Sequence, residues 1–150
     1  SAYCHEKGCG VPQSSTRALE LYEKDINSMP RILFSRFRKI LALQQNGENI
    51  SNLKHLVDEV KEITFDRMHD PARMECYLYY VHGKIAEKIE GDLEKAMEWY
   101  KKGVESDTFA CLKYHLLANE AWRARCSRRL EKVKLKLGFT VEIKRRKSED

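Results

Sequence analysis

Only three of the 150 residues are proline and seven are glycine. So few breakers, in a chain rich in Leu, Glu, Lys, Arg and Ala, favour helix over sheet. No apolar run approaches the roughly 20 residues that a membrane span needs. The opening SAYCHEKGCG has no apolar leader segment and no methionine, so it reads as the start of a piece excised from a longer protein. Phosphate-cradling glycine loops, nucleophile motifs and paired metal-ligand spacings are also missing. Cys4, His5 and Cys9 have loose C-x4-C spacing and no second pair to complete a zinc shell. His55 with Asp58, and His115 with Glu120, stand without a nucleophile. These gaps point away from catalysis and imply neither cofactor nor metal.

What is present is charge and helical periodicity. The chain is 42% hydrophobic and 34% charged, with a formal net charge of +5. The charge is uneven: residues 108–150 carry twelve Lys/Arg against five Asp/Glu, a net of +7, and residues 1–107 carry a net of −2. The five cysteines are odd in number, and Cys76, Cys111 and Cys126 fall within helical patterns, as small buried hydrophobes do. A reduced, intracellular setting is expected.

Apolar spacing predicts six helices. The first covers about 15–28, capped by Ser14 or Ser15, with Ala18, Leu19, Leu21, Tyr22 and Ile26 inward. The second covers about 30–45, with Pro30 in its first turn and Leu33, Phe34, Phe37, Ile40, Leu41 and Leu43 as its face. The third covers about 51–64 with Leu53, Leu56, Val57, Val60 and Ile63. The fourth is expected over 71–89, with Asp70 as N-cap, Met74, Leu78, Val81, Ile85 and Ile89 as its stripe, and Gly83 at a close helix crossing. The fifth runs over 92–105, capped by Asp92, with Leu93, Ala96, Met97, Tyr100 and Val104 inward. The sixth and longest spans about 108–137 and stops at Gly138. The basic tail, 139–150, is expected to be a short extended segment or disordered. Residues 1–138 are thus expected to form one helical domain.

A small residue followed four later by tyrosine recurs along the chain, as at Ala18/Tyr22 and Ala96/Tyr100. Such a pair lets helices nest closely, and its recurrence marks stacked helical hairpins. YCHEKGCGVPQSSTRALELYEKD resembles a Sel1-like repeat: Gly8, Gly10, Val11, Pro12, Ala18 and Tyr22 fit, while Asp25 stands where that family prefers alanine. GKIAEKIEGDLEKAMEWYKKGVESD resembles a tetratricopeptide repeat: Gly83, Gly91, Asp92, Ala96 and Tyr100 fit. Gly83 and Gly91 are one residue further apart than that pattern allows, and the usual closing proline is absent. Ala18 and Ala96 lie 78 positions apart, two units of about 39. The resemblance implies an all-α stack of antiparallel helical hairpins, ending in a long C-terminal helix. It also implies a concave face that holds a partner peptide or helix.

The function expected is a non-catalytic protein–protein interaction module of a larger intracellular protein, a scaffold or adaptor. Tyr77, Tyr80 and Lys84 share one side of the fourth helix, beside Arg73. They either grip a partner in the groove or pack against a neighbouring helix. Tyr114 is a further member of this set. Arg123, Arg125, Arg128, Arg129 and Lys132, with Lys134 and Lys136, surround the last helix and suit an acidic protein partner or nucleic acid, the alternative reading. The last helix also permits a homodimer. Lys144, Arg145, Arg146 and Lys147 suit a nuclear import signal, leaving cytoplasm or nucleus as the expected compartment.

Overall fold

In the computed structural model, residues 2–70, 74–106 and 113–149 are described, excluding the side chains of 113–118, 139–144, 148 and 149. All regular structure among them is helical. The chain divides into two compact units, Ser1–Arg73 and Met74–Asp150. The stretch expected as one domain over 1–138 is thus described unit by unit, and the second unit takes in the tail.

The first unit holds α1 (Ala2–Lys7), α2 (Ser15–Ser28), α3 (Leu33–Gln45), α4 (Ile50–Lys61) and a 3-10 turn at Phe65–Arg67. Each α-helix packs on the next in sequence. Ser14 caps α2, its hydroxyl accepting from the Arg17 N–H at 3.1 Å. Ala18 and Tyr22 are fully buried and meet Ala2 of α1 in one cluster. The Tyr22 hydroxyl donates to Glu6 at 2.8 Å, and Arg38 of α3 reaches the same carboxylate. Glu6 is therefore held below the usual carboxylate range: burial would raise it, but hydrogen bonds from Arg38 and Tyr22 outweigh that.

α3 starts at Leu33, three residues later than expected, because Pro30 lies in the turn before it. Ile32 at its N-cap offers no side-chain acceptor. Asp70 supplies the cap from 37 positions away: Oδ1 accepts from the Leu33 N–H at 2.7 Å and Oδ2 from the Phe34 N–H at 3.0 Å. Two further bonds fasten the same segment, Arg31 N–H to His69 Nδ1 at 2.9 Å and His69 N–H to the Arg31 carbonyl at 3.0 Å. Asp70 thus does not cap the fourth helix as expected. Residues 71–73 lie outside the described set, and α5 begins at Glu75 with Met74 at its N-cap.

The second unit holds α5 (Glu75–Lys88), α6 (Leu93–Glu105) and α7 (Lys113–Glu149), each in contact with the other two. Asp92 caps α6 as expected, accepting from the Lys95 N–H at 3.0 Å. Gly83 sits at a close crossing: a Cβ built there would collide with the Tyr100 ring. Gly103 of α6 does the same for the Cys126 sulfur of α7, a crossing the sequence reading did not single out.

α7 does not stop at Gly138 but continues to Glu149. A mid-helix glycine costs only about 1 kcal/mol. The brief alternation Phe139, Val141, Ile143 meets no partner strand among the described residues, so the backbone satisfies its own hydrogen bonds in helix. No described helix is long and apolar enough to cross a membrane.

Candidate functional site

The residues with functional potential gather on α5 and α7. At their centre lies Glu87, whose side chain is 1% exposed. Tyr100 of α6 donates its hydroxyl to Oε1 at 3.0 Å. From α7, Arg129 bonds both carboxylate oxygens and Lys136 donates to Oε2 at 3.1 Å. Lys88, next in the chain, pairs with the same oxygen at 3.3 Å. Burial would raise the Glu87 carboxyl, yet the hydrogen bonds from Lys136, Arg129 and Tyr100 hold it down at about 2. The same burial, with Glu87 beside it, pushes the Tyr100 hydroxyl far up. Lys84, half-buried one turn before Lys88, is pushed down to about 8 by burial first and then by Arg129.

The aromatic candidates are placed differently from a groove wall. Tyr77 is 4% exposed and packs on Trp122 of α7, ring centroids 4.6 Å apart. Tyr80 is half-buried, 5.0 Å from Trp122 and 6.3 Å from Tyr100. Of the two readings left open for these tyrosines, packing against a neighbouring helix is the one seen. The cause is Trp122, a large α7 ring that covers this side of α5. Arg73 lies outside the described residues, as does the Tyr114 side chain.

The basic candidates on α7 separate into two groups. Arg129 is no surface charge, since it is drawn onto Glu87 with its side chain 17% exposed. Arg123 is half-buried, bonding the Ser106 carbonyl and pairing with Glu120. Arg125, Arg128 and Lys132 are exposed and make no ion pair among the described residues. At 100° per residue, Arg125, Arg128, Lys132 and Lys136 lie within one 80° band, about 16 Å long. Glu120 and Glu131, the acidic residues of α7 nearby, point elsewhere and pair with Arg123 and Lys134. At one end of the band the Arg125 guanidinium lies over the Trp122 ring, 4.4 Å from its centroid.

Arg145, Arg146 and Lys147 are exposed on the last turns of α7, so this cluster stands in helix and not in a disordered tail. Cys76 and Cys126 are fully buried, and burial pushes the Cys126 thiol up to about 12. Cys111 lies outside the described residues. No group of three or more His, Cys, Asp or Glu among the described residues is arranged to hold a metal ion.

Sequence reasoning missed Glu6 and Glu87 as anchors. Each sits in a Glu-Lys pair at a helix end, which resembles solvated charge. A signal was present: each follows a small residue by four positions (Ala2, Gly83) and precedes a lysine, and a buried tyrosine comes 16 or 13 residues later. No family model, curated protein or solved structure matches the chain.

Proposed function

We propose that this chain is a non-catalytic protein-interaction module, a degenerate Sel1-like or tetratricopeptide-like helical stack. In this reading it binds an acidic protein segment along the basic face of α7. The observation that carries it is the exposed band of Arg125, Arg128 and Lys132. Charge left over after internal pairing is available to a partner, and it acts chiefly on encounter rate and register. Trp122 and Arg125 supply the residue types that dominate interface energetics, at one end of the band. The occupant is a helix or extended strip with carboxylates at helical spacing. The reading seats the partner on α7 rather than on the Tyr77 side of α5, against which Trp122 packs.

The test is fluorescence anisotropy with two labelled probes, a helical peptide carrying glutamates every three to four residues and a mixed-sequence RNA of equal charge. The reading expects the peptide to bind, with affinity falling at least about tenfold when Arg125, Arg128 and Lys132 are changed to glutamate. Binding of RNA alone, collapsing steeply with added salt, would replace this reading with a nucleic-acid module.

A further inference from the structure

α1 ends in a glycine turn that brings two cysteines together. Gly8 adopts φ +75°, and the Cys9 N–H bonds back to the Cys4 carbonyl at 3.1 Å. The Gly8 N–H shares that carbonyl at 2.7 Å. With Cys4 at C3, Gly8 at C′ and Cys9 at C″, the first is the 6→1 bond of a Schellman turn and the second the 5→1 bond of an αL cap. The side chains at C3 and C″ are the pair that such a turn sets against each other. The hydrogen bond and the covalent bonds flanking it hold the two Cα atoms no more than about 7 Å apart, and the angle of about 120° at the amide nitrogen shortens this further. A disulfide needs Cα atoms about 4.4–6.8 Å apart. Cys9 is exposed and Cys4 half-exposed, and neither is in a disulfide here. The turn at Gly47 also has a positive φ and the same back-bond, from Glu48 to Leu43, but no cysteine.

We propose that Cys4 and Cys9 form a reversible thiol–disulfide site, oxidised by a low-molecular-weight disulfide such as glutathione disulfide. One protein thiolate attacks the oxidant, releasing one glutathione thiolate and leaving a mixed disulfide. The second protein thiolate then attacks the protein sulfur of that bond and expels the second glutathione. The two protein thiols lose two protons and two electrons, and the oxidant is reduced to two thiols. The bridge spans Glu6 and Lys7 and closes the turn that holds Glu6 against Tyr22 and Arg38.

The experiment treats the fully reduced chain with glutathione disulfide, traps it with acid, and digests it with trypsin, which cuts after Lys7. The site predicts a disulfide-linked pair of peptides, 1–7 and 8–17, and a whole-chain mass loss of about 2 Da per bridge. It also predicts bridging at least about tenfold faster in the folded chain than in 8 M urea, with Gly8→Ala slowing the folded rate toward the urea rate. Separate glutathione adducts on Cys4 and Cys9, links to other cysteines, or equal rates in the two conditions would overturn it.

Discussion

The two units build the same anchor and then treat the remaining charge in opposite ways. In each, a buried tyrosine donates to a glutamate at the end of the preceding helix, and an arginine from a third helix closes on that glutamate. The surroundings match as well: a small residue precedes the glutamate by four, a lysine follows it, and buried Ser35 or Cys126 precedes the arginine by three. Around Arg38, however, the α3 cations are spent internally, Arg36 on Glu59 and Lys39 on Glu23, both at 2.5 Å. Around Arg129, the α7 cations Arg125, Arg128 and Lys132 stay exposed. The shared anchor is a device for docking three helices, and the unmatched charge on α7 is the difference on which the proposed binding surface rests.

The anchors are the place to break this comparison hardest. Glu87→Ala leaves Arg129 half-buried without its carboxylate and should cost the second unit about 3–5 kcal/mol in urea unfolding. Glu6→Ala should cost the first unit less, because among the described residues no equivalent of Lys136 joins that network. Equal losses would show that the extra cation contributes nothing. Gly83→Ala forces a methyl group into the Tyr100 ring and should cost about 2–3 kcal/mol.

Acid titration should follow the same order. Glu87 is held at about 2 in the fold against an ordinary 4.5. Its ionised form therefore contributes fully above pH 4.5, and that contribution, about 3 kcal/mol, is lost as pH falls from 4.5 toward 2. Glu87→Gln should flatten this part of the stability curve. Lys84 runs the other way: pushed down to about 8 from an ordinary 10.5, it is more readily protonated in the unfolded chain, so stability should rise as pH goes from 8 to 10.5. Asp70→Ala removes the distant cap of α3 and should cost the first unit about 1–2 kcal/mol with no effect on the second.

Much of the helical layout was legible because it is local. The 3.6-residue stripes gave α2, α4 and α6 nearly to their ends, and Ser14 and Asp92 cap where short-range rules put them. Gly83 was legible as a close crossing because a mid-helix glycine needs a reason. Asp70 was misplaced because its acceptors lie next to a proline in sequence but serve a helix 37 positions earlier. Arg129 read as surface charge because its partner, Glu87, lies 42 positions away on another helix. The aromatic side of α5 was left open between groove and packing because nothing in the sequence says which ring Trp122 covers. In each case the deciding contact is long-range, beyond the reach of periodicity and capping.

Paired charge reversals test the account most directly, with affinity for the acidic helical peptide as the readout. Arg125→Glu, Arg128→Glu and Lys132→Glu together should weaken binding at least about tenfold with helicity unchanged. Arg36→Glu with Lys39→Glu, on the internally paired α3, should leave it within about twofold. Equal losses from both sets, or none from the α7 set, would contradict the claim that the uncompensated face of α7 is the binding surface.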